Sequence, residues 1–326
     1  MQVVAAPASL KGVLSAVEAA GALAAGSRRA GAETYEVPVA DGGEGTAAAL
    51  ARALGGQWRS AAVPDPLGRR VEARWLVLPD GVAVVEAAEA VGLGLLRPDE
   101  RDPLRATSRG VGELLRAAID GGAAALIVCL GGTATVDGGA GLLEAVRGFS
   151  LPVTVACDVS SPLLGQRGAA RAFGAQKGAD GAAIEELERR LSQRDDLAPY
   201  AQLPGAGAAG GLGAALAALG GELVSGAELV LRRIGFRDRI AGADLVITGE
   251  GTVDSTTFAG KAPAAVLAAC DEAGIRGVLF GGVVRFVPAG IEVHALSGDP
   301  RNAGADLVAL AERLVQGPVQ KVEQGT

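Results

Sequence analysis

A chain of 326 residues has length for about two domains, and its 37 acidic against 30 basic residues leave a net charge of −7. No basic stripe interrupts that balance, which argues against a nucleic-acid partner and against an anionic membrane surface. The single histidine, His294, excludes a multi-histidine metal centre, and Cys129, Cys157 and Cys270 lack the CxxC spacing of a zinc site and the even count of a disulfide framework. A reducing, cytoplasmic setting fits best, and residues 3–6 are too short and lack the basic flank of a signal peptide.

The elements read in order as follows. An apolar strand at 3–6 leads through Ser9-Leu10-Lys11-Gly12 to a helix ending near residue 29, with Ser15 and Glu18 in a capping-box pattern. A strand at 34–39 ends at Asp41. Strand, helix and strand within 40 residues predict a right-handed parallel unit with ligands at the carboxyl ends of its strands, so Lys11 and Asp41 are expected at one sheet edge. After a helix at 44–54, extended stretches at 57–63, 70–78 and 82–87 are joined by two proline-containing turns. They predict an antiparallel meander. A helix at 108–119, strands at 125–130 and 153–157, and a helix at 183–191 follow. Residues 197–221 carry no charge, but their Gly and Ala content and Pro204 predict a buried turn plus helix, not a membrane span. The parallel style returns with a strand at 244–248, a helix at 263–273, strands at 277–280 and 291–295, and a helix at 304–315. The tail beyond residue 316 is expected to be mobile. The expected organisation is a discontinuous parallel α/β domain, 1–43 with 236–326, and an inserted mixed α/β domain, 44–235, with the site in the cleft between them.

Three glycine-rich segments carry carboxylates: Ala40-Asp41-Gly42-Gly43-Glu44-Gly45-Thr46, Gly131-Gly132-Thr133-Ala134-Thr135-Val136-Asp137, and Thr248-Gly249-Glu250-Gly251-Thr252-Val253-Asp254. Each is read as a sharp bend whose exposed N–H groups bind anions and whose carboxylate holds Mg²⁺ or takes a proton. For the second segment, which is neither a Walker A loop nor a GxGxxG fingerprint, a plain strand-to-helix turn is the alternative. Asp41 is either a carboxylate acting on a hydroxyl or a cap on the helix from residue 44. Asp158 follows a strand directly. Lys177 suits an anion, or it is a solvated surface lysine. Four lysines stand against 26 arginines, and Lys11, Lys177 and Lys261 all fall in these turn segments. His294, Trp58 and Trp75 are expected to be structural.

In number and order, these segments resemble the type-1 glycerate kinase family of bacteria from the first strand to the last helix. Asp65-Pro66-Leu67-Gly68, residues 106–114, Gln176-Lys177-Gly178-Ala179 and residues 204–211 add to the match. The resemblance implies a flavodoxin-like parallel-sheet domain with an inserted restriction-enzyme-like mixed-sheet domain. It implies phosphorylation of D-glycerate by ATP with Mg²⁺, usually giving 2-phosphoglycerate, with 3-phosphoglycerate as the product of some members. On this reading Lys11, Asp41 and Lys177 are the catalytic candidates. Gly42, Gly43, Glu44, Gly131, Gly132, Thr133, Asp137 and Lys261 are candidates for binding substrate or nucleotide. Asp158, Glu250 and Asp254 are candidates for Mg²⁺. The chain departs from the family in a short segment between Val146 and Val153, and in Thr252 and Thr256, where Arg and Gln are usual. A kinase of a related hydroxy acid, or a non-catalytic sensor on the same scaffold, is the alternative. A homodimer is compatible with the sequence.

Overall fold

The computed structural model describes residues 1–317; the tail expected beyond residue 316 lies outside them from 318 on. Its strands are β1 (Gln2–Ala5), β2 (Glu33–Glu36), β3 (Gln57–Pro64), β4 (Arg70–Val77), β5 (Val82–Glu86), β6 (Ala125–Cys129), β7 (Val153–Cys157), β8 (Glu222–Ser225), β9 (Leu245–Val253), β10 (Arg276–Val284) and β11 (Glu292–Ala295). They build two sheets in two compact units. One unit is Met1–Ala40 with Leu231 onward, and the other is Asp41–Val230.

The first unit holds an all-parallel sheet in the order β11-β10-β9-β1-β2. Numbered along its own strands from the other edge, this is 2-1-3-4-5, the flavodoxin-like order, which reverses direction between β1 and β9. The helix Ala16–Arg29 begins where expected: Ser15 and Glu18 close the capping box with bonds of 2.8 and 3.2 Å. It packs on the helix Ala303–Gln316, and at Gly26 any Cβ would collide with the carbonyl of Val308. The core is Val3, Leu23, Leu245, Ile247, Phe280 and Leu307 with their neighbours. Such apolar runs suit a sheet covered on both faces.

One expectation fails here. Strand β9 does not stop at residue 248 but runs straight through Gly249-Glu250-Gly251, so the third glycine-rich segment is not an elbow. Gly249 lies opposite Phe280 on β10, and a Cβ there would strike the Phe280 carbonyl and ring. Glycine serves close approach at this position, not a turn.

The second unit holds a mixed sheet in the order β3-β4-β5-β6-β7-β8. Strands β3, β4 and β5 form the expected meander, and β5 through β8 are parallel. The helix Arg109–Asp120 covers the sheet with Val111, Leu114, Leu115 and Ala118. The uncharged stretch does fold into a buried helix, Ala208–Ala218, and no helix among the described residues is long and apolar enough to cross a membrane. Its entry is left-handed at Ala209 (φ 53°), Gly210 and Gly211, and a Cβ on Gly210 would collide with the Thr135 carbonyl. That run of small residues therefore exists to back the Gly131–Gly139 segment. Strand β8 and the helix Gly226–Arg233 were not anticipated.

Gly249→Ala should cost about 1–3 kcal/mol by overpacking against Phe280. Gly304→Ala, in a helix with open space around it, should be neutral or stabilising by about 0.5–1 kcal/mol. Urea unfolding of the two variants checks both.

Candidate active site

In the first unit, a cavity of about 320 Å³ opens at the carboxyl end of the parallel sheet. Its walls come from the loop after β1 (Ser9, Leu10, Lys11), the end of β9 (Glu250, Asp254) and Lys261. This is the strand-order reversal point, where open α/β sheets bind ligands. Lys11 is exposed. Glu250 is held by the Thr257 hydroxyl at 2.6 Å and by Lys261 Nζ at 3.2 and 3.3 Å. Asp254 caps the short turn Ser255–Phe258, accepting from Thr256 Oγ1 (2.5 Å) and Thr256 N (2.8 Å), and these bonds hold its carboxyl below the usual range. Two of the departures from the family pattern thus fall here: Thr252 lines the cavity and Thr256 orients Asp254.

In the second unit, the carboxyl ends of β5 to β8 deliver Glu86, the Gly131 turn, Asp158 and Gly226 to one sheet edge. The segment Asp41–Gly45 lies across it. Gly43 and Gly131 touch so closely that a Cβ on Gly131 would collide with the Gly43 α-carbon. A Cβ on Gly42 would stand 2.9 Å from that of Ala156, and one on Gly226 would strike the Asp41 carbonyl. A Cβ on Gly132 would stand 3.3 Å from a Glu44 carboxylate oxygen. The elbow and the turn therefore form one surface. Asp41 is half-buried and accepts weakly from Gly43 N at 3.3 Å. It does not cap the helix Thr46–Leu54: Gly45 is the cap residue, and the carboxylate serving that helix end is Glu86.

Lys177 is not a surface lysine. It is 3 % exposed, and its Nζ donates to the Thr135 carbonyl at 2.8 Å and the Thr133 hydroxyl at 3.2 Å. Burial lowers its pKa to about 7, with Asp137 opposing the shift. Asp137 was expected to bind a ligand, but its carboxylate is used inside the protein. It accepts from Ser108 N and Oγ, Gly139 N and Gly141 N at 2.8–3.2 Å. Arg194 holds the Asp137 and Gly138 carbonyls from another side. The turn is thus braced by a lysine, an aspartate, an arginine and the left-handed run at 209–211, and such bracing holds its backbone in one conformation.

The three metal candidates do not form one set within a unit, because Asp158 belongs to the second and Glu250 and Asp254 to the first. Among the described residues, no group of three or more His, Cys, Asp or Glu is placed to hold a metal ion. His294 Nε2 stands 2.9 Å from Glu292 as a half-exposed structural residue, Trp75 is core, and Trp58 stacks under Arg74. Glu86 was missed by sequence reasoning; a glutamate closing an apolar strand carries no motif of its own.

A parallel sheet with charged groups at its reversal point in one unit, and a braced glycine turn in the other, are the marks of an α/β enzyme. The sequence profile of the glycerate kinase family matches residues 3–151 and 147–297. The chain is 43 % identical over 308 residues to the glycerate 2-kinase of Escherichia coli K12, covering 82 % of this chain and 81 % of that one. It is 41 % identical to the glycerate kinase of Bacillus subtilis 168 with the same coverage. A crystal structure described as a candidate glycerate kinase 2 from Salmonella typhimurium LT2 superposes with a TM-score of 0.82, at 35 % identity and 97 % coverage of both chains. The chain belongs to the glycerate kinase family and is a kinase.

The Lys177 shift has a stability consequence. Its folded pKa of about 7 lies below the unfolded value, so stability is lost as pH falls from about 10.4 toward 7. Relative to Lys177→Met, the wild-type protein should gain unfolding free energy between pH 7 and pH 10. Urea titrations across that range check it, and a flat difference would mean that Lys177 is not desolvated.

Proposed function

We propose that the protein transfers the terminal phosphoryl group of ATP to D-glycerate, giving 2-phosphoglycerate. The observation that carries this reading is the contact of the Asp41 elbow with the Gly131-Gly132-Thr133 turn, which sets a carboxylate beside main-chain groups suited to an anion. The 43 % identity to a protein named glycerate 2-kinase favours the 2-hydroxyl. Three buried, unpaired cysteines agree with a reducing, cytoplasmic setting.

Phosphoryl transfer needs in-line positioning and charge neutralisation more than covalent help. On this reading, Asp41 orients the acceptor hydroxyl and takes its proton. Glycerate's carboxylate and the transferred phosphate meet the amides of Gly42, Gly43, Gly131, Gly132 and Thr133, with Lys177 fixing the turn from behind. Glu44 borders the same surface. In the first unit, Lys11 and Lys261 neutralise nucleotide phosphates. Mg²⁺ is usually held by one or two carboxylates together with phosphate oxygens. Glu250 and Asp254, on one cavity wall, fit that donor set better than a group including Asp158. Bound there, the cation would offset charge on the phosphates.

A coupled assay should show ADP release that depends on D-glycerate, and phosphorus NMR should identify 2-phosphoglycerate as product. Release without glycerate dependence would contradict the reading. Lys11→Ala should lower kcat/KM by roughly 10²-fold through loss of a charge-assisted contact. Asp41→Asn should lower kcat by about 10²–10⁴-fold, the span for a lost general base, with an unchanged melting temperature. Normal turnover in a folded Asp41→Asn protein would remove Asp41 from the chemistry.

A further inference from the structure

Glu86 is the last residue of β5 and is 7 % exposed. One carboxylate oxygen accepts from Gly45 N at 3.1 Å and the other from Ala47 N at 2.6 Å. Gly45 precedes the helix Thr46–Leu54 in a left-handed conformation (φ 91°) and has no side chain with which to cap it. A carboxylate from a strand 41 residues away therefore does the capping. The same elbow is pinned at its other end by Asp41 accepting from Gly43 N, and by Thr46 Oγ1 donating to the Gly43 carbonyl at 2.7 Å. Glu86 also lies opposite Cys129 at the end of β6, the strand that delivers Gly131. One side chain thus ties the elbow to the sheet edge on which the glycine turn stands.

We propose that Glu86 is a positioning residue for phosphoryl transfer, holding the Asp41–Gly45 elbow in register with the Gly131 turn so that the acceptor site is assembled. The proposal rests on the reading of that elbow as the glycerate site. Fold stability alone does not call for a carboxylate here. Burial raises its pKa to about 7, against the smaller lowering by the two amides. Glu44 on the elbow and Glu89 on the helix Ala87–Val91 raise it further. The other charged or titratable groups around it are Glu72 of β4, which lines the same small cavity, Arg74, which pairs with Glu89, and the buried Cys129 thiol. The folded pKa lies above the unfolded one, so the stability Glu86 contributes is full below the ordinary carboxylate pKa and is lost as pH rises through about 7. The ionised form is thus the less stabilising one, yet only that form accepts from both amides with full charge.

Two measurements test this. In the wild-type protein, kcat/KM for glycerate should fall as pH drops from 8 to 6. In Glu86→Gln, that acid limb should vanish and the pH 8 value should be lower by roughly tenfold or more. The KM for nucleotide should stay within about twofold, and the variant should melt at or above the wild-type temperature at pH 8. A variant that melts lower at pH 8 while keeping kcat/KM would overturn the proposal, because Glu86 would then be a structural cap only. An acid limb that persists in the variant would also overturn it. Independently of any turnover, the amide resonances of Gly45 and Ala47 should titrate near pH 7 in ligand-free protein and should not in Glu86→Gln. Absence of that titration defeats the proposal even if glycerate is the substrate. Its presence without glycerate phosphorylation would instead sink the functional reading.

Discussion

Two backbone segments meet at Gly43 and Gly131, and a methyl group on Gly131 would have no room against the Gly43 α-carbon. Everything the second unit can do chemically depends on that approach. A side chain at Gly131 would push the Asp41 elbow off the turn and separate a carboxylate from the main-chain groups beside it. The surrounding structure is built to keep the turn still: Lys177 and Asp137 hold it from within, Arg194 ties down two of its carbonyls, and Gly210 packs where only glycine fits. That rigidity carries a stability cost. Lys177 and Glu86 are both buried ionisable groups displaced toward neutrality, and Ala209 sits in a left-handed conformation. Local rules are broken mainly at one place in the chain, as expected where function competes with stability.

The first unit reaches its site by a different route. Its order reversal between β1 and β9 opens a crevice by topology alone, and Lys11, Lys261, Glu250 and Asp254 line it. Glu250 is paired with Lys261 and Thr257, which fixes its direction. Family membership and the structural similarity to a candidate glycerate kinase 2 agree with charged side chains standing at the carboxyl end of this sheet.

Much of the fold was legible because its signals are local. Ser15 with Glu18 fixes a helix start, proline-containing turns fix the meander, and the first two glycine segments mark one sheet edge. What the sequence left open turns on tertiary contacts. Glycine signals either a bend or a close approach; Gly249 is the second kind because Phe280 lies across from it on β10, 31 residues on. A lysine between Gln176 and Gly178 reads either as an anion binder or as a solvated surface residue, and its burial follows from the Thr133–Thr135 turn 42 to 44 residues earlier. Glu86 was invisible for the same reason, its partners being amides of another element. Strand β8 is four residues long and has no alternating pattern, so pairing with β7 alone defines it.

The central claim is that the elbow and turn of the second unit bind the acceptor. Hydrogen–deuterium exchange, read by mass spectrometry with and without saturating D-glycerate, tests it most directly. The account predicts slowed exchange in residues 41–47 and 131–135, reduced further by a non-hydrolysable ATP analogue with Mg²⁺. Glycerate binding that leaves both segments unchanged and protects other parts of the chain would contradict it.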